Sequence, residues 1–229
     1  MNTNLPSGAN FKRLAILGPT FKVSTTDFFD TSMIETVPSC EFAAQTSLPS
    51  GDTSKPSGLA TPETLRREEY WSNLSGATGL IYGNHYSWTF AEAWQTHLDT
   101  PGAGQMAHMK SFLESRPWYN LAPDNQHTTL IAGFGTFSSK GTVDGNDYAT
   151  AARTPDGRLV IAYAPTVRPL TIDMTRLSGP VTARWFDPAN AAYVAIGGSP
   201  FSNTGTQTFT APGRNHHGDG DWVLVLEVN

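Results

Sequence analysis

Apolar and polar positions follow two different periods along this chain, and the change falls near residue 125. Ahead of it the spacing is helical. Thr61-Pro62-Glu63 supplies a capping hydroxyl, a proline at the first helical position and an acid at the positive end of the dipole. That predicts a helix to about Ser75, with Trp71 and Leu74 facing inward and Gly76 stopping it. Residues 77–82 (ATGLIY) form an apolar run of strand length, of the kind buried on both faces in a parallel sheet. Asp99-Thr100-Pro101 opens a second helix, along which Met106, Met109, Phe112 and Leu113 make one apolar stripe. Arg116-Pro117-Trp118 ends it, and residues 121–124 read as a linker.

Beyond His127 the period becomes two, punctuated by turns. Candidate strands cover residues 128–137, 148–154, 158–164, 169–175, 181–187, 191–196, 205–210 and 221–228. Pro155-Asp156-Gly157 is a hairpin turn, and Asp187-Pro188-Ala189-Asn190 is a second. In the last strand Trp222, Leu224, Leu226 and Val228 alternate with Val223, Val225 and Glu227, which predicts a central strand covered on both faces. Strands of this length and spacing predict an antiparallel sandwich of about 100 residues. The expected division is therefore residues 1–124, α/β in character, and residues 125–229, all β.

Residues 1–60 are less coherent. A weak amphipathic stretch at 11–17 stops at Gly18-Pro19, Ser32-Met33-Ile34-Glu35 reads as a short buried strand ending in a carboxylate, and 48–62 reads as a long exposed loop. Charged residues make up only 15% of the 229, with 21 Gly and 16 Pro, a mix suited to turn-rich β structure. The net charge of −5 offers no basic stripe for nucleic acid, and no apolar run is long enough to span a bilayer. One cysteine, Cys40, excludes an internal disulfide, and the first residues carry no export signal. The compartment stays open.

For chemistry, the loop after the 77–82 run is the first candidate. Ligands of α/β barrels bind at the carboxyl ends of the strands, which is where Gly83-Asn84-His85-Tyr86-Ser87-Trp88 falls. Asn84 and His85 can bond sugar hydroxyls, and Trp88 offers a flat apolar face; the alternative is that Tyr86 and Trp88 only cover the rim. His216-His217 beside Asp219 and Asp221 reads as an exposed polar turn rather than a metal or calcium site. No phosphate-cradling loop, nucleophile elbow or zinc-protease helix is present. Carboxylates remain the reactive groups, Glu35 the best placed and Glu41 in reserve, and no cofactor or metal is implied.

The segments TPETLRREEYWSNLSGATGLIYGNHYSW and LDTPGAGQMAHMKSFLESRPWYNLAPD closely resemble the last helix–strand–helix of the apiosidase-like glycoside hydrolases, which carry a (β/α)8 barrel. HTTLIAGFGT, ARWFDPANA and GDGDWVLVLEV resemble the module that follows it, named for collagen binding in a collagenase. The resemblance implies a partial barrel remnant followed by the sandwich. It implies retaining hydrolysis of a polysaccharide or oligosaccharide by two carboxylates. Met33-Ile34-Glu35 is similar to the family's nucleophile segment, so Glu35 takes that role, with Asn84, His85 and Trp88 lining the sugar site. The gap from Glu35 to Glu41 is longer than in the family, and nothing in the chain corresponds to the acid/base partner.

A closed barrel needs eight strand–helix units and about 250 residues, against about 120 ahead of the sandwich. The expectation is the C-terminal portion of a longer enzyme, inactive alone and self-associating through an exposed barrel edge. The competing reading is a non-catalytic module in which the sandwich binds glycan or matrix protein, or braces the barrel. No flat aromatic strip or acidic trench suits a collagen triple helix.

Overall fold

A computed structural model of the protein describes residues 61–77, 82, 90, 92–137, 143 and 145–229. Helix α1 spans Pro62–Leu74. Its N-cap Thr61 accepts the Thr64 amide while Thr64 Oγ1 accepts the Thr61 amide, a reciprocal capping box. At the other end the Gly76 amide bonds Asn73 O and the Ala77 amide bonds Ser72 O. This closing pair needs a left-handed residue, and Gly76 supplies it at φ +104°. Helix α2, Pro101–Glu114, starts from Thr100, whose hydroxyl accepts the Ala103 amide. Both helices keep the predicted limits, with Trp71, Leu74, Met106, Met109, Phe112 and Leu113 all buried.

Nine strands follow among the described residues: β1 (Ala122–Pro123), β2 (Leu130–Ala132), β3 (Thr150–Arg153), β4 (Leu159–Ala164), β5 (Pro169–Asp173), β6 (Val181–Phe186), β7 (Tyr193–Ala195), β8 (Thr206–Thr210) and β9 (Trp222–Val228). All described pairings are antiparallel. One sheet has the order β1-β3-β4-β9-β6-β7, the other β2-β5-β8. Each of the eight predicted strand segments contains a strand, and both predicted hairpin turns close where expected, through Gly157 N to Thr154 O and Ala191 N to Asp187 O.

The differences have local causes. The segment predicted over 128–137 is a strand only over β2: Gly133 and Gly135 take φ +93° and +70° and turn the chain, so that Phe134 O and Thr136 O accept the amides of Ala149 and Asp147 instead. The expected linker at 121–124 is not free chain. Ala122 and Pro123 pair with Arg153 and Ala152 as an edge strand, where proline's missing donor faces outward. Asp124 then accepts the amides of Thr128, Thr129 and Leu130, fixing the turn into β2.

Strand β9 lies between β4 and β6, central as its alternation requires. On one face Val160, Ala162, Ala183, Trp185, Leu224 and Leu226 pack against Leu130, Leu170, Ile172 and Phe209 of the small sheet. On the other face Ile161, Tyr163, Phe186, Val223 and Val225 pack against Leu65, Tyr70, Trp71 and Leu74 of α1 and Met109 and Phe112 of α2. The layers are therefore small sheet, large sheet, helix pair. This explains the uninterrupted apolar run of β4, buried at all six positions. The sandwich is as expected from sequence. The parallel barrel strand was expected at 77–82, and residues 78–81 lie outside the described residues.

Candidate functional site

Glu35 and its reserve Glu41, and the sugar-site residues Asn84, His85 and Trp88, lie outside the described residues. What the structure describes is the frame around the predicted loop. Tyr82, at the end of the apolar run, shares a 3.1 Å hydroxyl–hydroxyl bond with Thr100, the N-cap of α2. The intervening chain is thus pinned at both ends. Within it Phe90 stands 73% exposed, edge-on to Trp94 at 5.3 Å.

The frame is held to the sandwich by one buried cation. Arg66, Tyr70 and Leu74 occupy one stripe of α1, four residues apart, and face the large sheet. At the start of that stripe Arg66 is fully buried. Its Nε and Nη2 donate to the two oxygens of Asp221, each at 2.7 Å; Nη2 also donates to Asp219 at 2.7 Å and Nη1 to Gln105 of α2 at 2.6 Å. Asp221 is buried as well, and takes further bonds from Tyr163 Oη at 3.1 Å and Asn215 Nδ2 at 2.7 Å. One carboxylate at the head of β9 thus joins α1, β4 and the loop before β9, while Arg66 adds α2.

This geometry corrects the reading of residues 216–221 as an exposed polar turn. His216 and His217 are exposed, but Asp221 is wholly buried. The cause is the guanidinium of α1, a partner 155 residues away in sequence. Among the described residues no group of three or more histidine, cysteine or carboxylate side chains could hold a metal.

Burial disfavours the charged form of Arg66, but the bonds to Asp221 and its charge prevail and hold the guanidinium protonated. Burial also pushes the Tyr163 hydroxyl well above the usual tyrosine range, and the Asp221 charge adds to that. Tyr70, stacked on Tyr163 at 4.8 Å and nearly parallel, is raised by burial for the same reason. Its hydroxyl has no hydrogen-bond partner among the described residues.

A second bridge closes the far end of α2. Arg116 donates to Phe112 O at 2.7 Å, to Glu227 of β9 at 2.9 Å and to Tyr193 Oη of β7 at 2.7 Å. Arg184 shares the same Glu227 and lies over the Tyr193 ring. Between the carboxyl ends of the helices a cleft of about 200 Å³ is lined by Leu74, Leu113, Trp118, Tyr119 and Leu121.

Residues 29–120 match the family model described as "Apiosidase-like, catalytic domain", and residues 137–227 match that described as "Putative collagen-binding domain of a collagenase". Among solved structures, a protein described as a glycoside hydrolase superposes with TM-score 0.63 at 25% identity, over 80% of this chain and 40% of its own. A glycoside hydrolase family 5 protein from Bacteroides vulgatus ATCC 8482 does so with TM-score 0.60 at 25% identity, over 73% of this chain and 36% of its own. The chain therefore spans about 40% of the length of the first of these and less of the second. No curated protein matches. The chain is thus similar to glycoside hydrolases in its first matched segment and in fold, and to the collagen-binding module in its second, as its motifs indicated.

Proposed function

We propose that this chain is the part of a glycoside hydrolase that carries the nucleophile, a sugar-binding loop and a bracing sandwich. The observation that carries the reading is the match of residues 29–120 to the apiosidase-like catalytic model, within which Pro62–Leu74 and Pro101–Glu114 form the two helices that would flank one barrel strand. In this reading Glu35 is the nucleophile of a retaining reaction on a polysaccharide or oligosaccharide. Asn84 and His85 bond sugar hydroxyls and Trp88 stacks on the ring.

Retaining hydrolysis needs a second carboxylic acid to protonate the departing oxygen, set about 5–5.5 Å from the nucleophile. The reading assigns no residue to it, so the chain alone binds glycan without turning it over. The test is retention of the purified chain on soluble arabinoxylan, pectin and β-glucan in affinity gels, beside hydrolysis of aryl glycosides. Retention without hydrolysis is expected. Hydrolysis abolished by Glu35→Gln would overturn the predicted inactivity and keep the chemistry. No retention on any glycan would overturn the reading.

For residues 125–229 we favour bracing over external binding. The helix-side face of the large sheet is already covered by α1 and α2, and Asp221 is committed to Arg66. Saturable binding of fibrillar collagen by the intact chain would contradict this.

A further inference from the structure

We infer that the open edge of β8 pairs antiparallel with β8 of a second copy of this chain, about a two-fold axis at Thr208. This goes beyond the glycosidase reading and does not depend on it. Strand β8 ends the order β2-β5-β8, so one side of it meets β5 and the other meets no strand among the described residues. Which residues face the open side follows from the bonds just beyond its ends. The Ala211 amide bonds Arg168 O and the Met174 amide bonds Gly205 O, both in register with the β5–β8 pairing. In an antiparallel ladder each residue turns both main-chain groups to one side, and alternate residues turn them to opposite sides. Gly205, Gln207, Phe209 and Ala211 therefore bond toward β5, while Thr206, Thr208 and Thr210 present their N–H and C=O groups outward.

Those outward groups have no main-chain partner among the described residues. The Thr208 carbonyl accepts only the exposed side-chain amide of Gln207, at 3.2 Å. Thr206, Thr208 and Thr210 are themselves exposed. An unpaired edge is a template for another strand, and proteins blunt it by shortness, proline, charge or a bulge. The other edges here are blunted. Strand β1 has two residues and contains Pro123, β2 and β7 have three residues each, and β2 also shifts register. Strand β8 has five, and from Thr204 to Ala211 there is neither a charged residue nor a proline.

The occupant is a second copy because the strand is complementary to itself. Turned about Thr208, it sets Thr206 against Thr210 and Thr208 against its own counterpart, with Gln207 against Phe209 on the inner face. Each outer pair can exchange two main-chain bonds, about six in all. Every outer side chain in the new pairing is a threonine, extending the 3.0 Å hydroxyl bond already made between Thr171 and Thr208. Threonine pairs across strands are favourable, and no like charges meet. The contact uses the same patch on both copies, so it closes as a dimer and does not grow into a fibre. The joined sheet then ends on each side in β2, the short strand with the shifted register.

An interface this small sits at the weak end of the range, so the full chain is followed by analytical ultracentrifugation from about 5 to about 300 µM. The weight-average mass is expected to rise about twofold across that range. Thr208→Lys sets like charges against each other on the axis and should remove the rise without lowering the melting temperature. Thr208→Val keeps the main chain and should associate as wild type does, and so should Val194→Lys on the edge of β7. In the wild type, hydrogen exchange of the Thr206, Thr208 and Thr210 amides should slow as concentration rises. The Gln207 and Phe209 amides, bonded to β5, should keep their rates. A wild type that is monomeric throughout leaves the edge to another occupant and overturns the inference. So does a rise that survives Thr208→Lys or is lost in Val194→Lys, since the contact then lies elsewhere. Loss in Thr208→Val would assign the contact to the hydroxyl and refute main-chain pairing. Should Thr208→Lys unfold the chain, the exchange pattern decides: threonine amides whose rates ignore concentration rule the pairing out.

Discussion

Arg66 and Asp221 face each other with no solvent contact, joined by two bonds of 2.7 Å from the fork of the guanidinium to the two carboxylate oxygens. Neither charge is tolerable alone at that depth, so helix and strand are obliged to dock together. Asp221→Asn keeps the shape and removes the charge. It is expected to cost about 3–5 kcal/mol, the range for breaking one side of a buried pair. A urea midpoint within error of wild type would show that the pair contributes little to docking.

Tyr70 and Tyr163 stack on one another but differ in their hydroxyls. Tyr163 donates to Asp221, while the Tyr70 hydroxyl is buried without a partner among the described residues. Tyr163→Phe should therefore cost about 1.5–3 kcal/mol, the value of a bond to a charged group. Tyr70→Phe should be neutral or stabilising, since an unsatisfied buried group is removed. Paired denaturant curves decide it, and equal losses for both would refute the assignment.

How much of this was legible beforehand depends on the range of the interaction. The eight strand segments and both helices follow from local alternation and from caps such as Thr61 and Thr100, which act over a few residues. The centrality of β9 was legible too, because both of its alternating sets are apolar. Arg66 was not. In the string RREE it looks like the solvated face of a helix, and the carboxylates that bury it lie 153 and 155 residues later. A clue existed in Asp221, which directly precedes the five consecutive apolar residues that open β9. The same limit applies to the linker: nothing local in residues 121–124 announces that Pro123 pairs with Ala152.

The two buried tyrosines also set an alkaline limit. Their folded pKa values are raised above the ordinary value of about 10. Above pH 10 the unfolded chain releases protons that the folded chain retains, so stability falls as pH rises. The slope is about 1.4 kcal/mol per pH unit for each tyrosine. Melting temperatures between pH 9 and 11 should drop steeply, and Tyr70→Phe should roughly halve that slope. A flat profile would contradict the burial argument.

On the acid side the sign reverses. Burial alone would raise the Asp147 carboxyl, but the Thr136 amide and the Arg168 guanidinium outweigh it and hold the pKa at about 2. A depressed acid contributes stability that is complete above its unfolded value near 3.8 and lost as pH falls toward about 2. Asp147 is partly exposed, so the effect should be small and weakened by salt. Asp147→Asn is expected to flatten the melting-temperature profile between pH 4 and 2 while changing it little at pH 7. A parallel offset at every pH would indicate a packing effect instead.

Residues 122–229 taken without the helices test whether the sandwich stands alone. The large sheet would then present Ile161, Tyr163, Phe186, Val223 and Val225 to water as one contiguous apolar face, with Asp221 stripped of its cation. Such a face is larger than soluble monomers usually expose. The isolated sandwich should bind a hydrophobic dye more strongly, and elute as larger oligomers, than residues 61–229. Replacing Ile161, Val223 and Val225 with threonine keeps the strand preference and makes the face polar. If that variant of the short chain becomes monomeric, the uncovered face is the cause of association; if the unmodified short chain is already monomeric and dye-free, α1 and α2 are not needed to cover it.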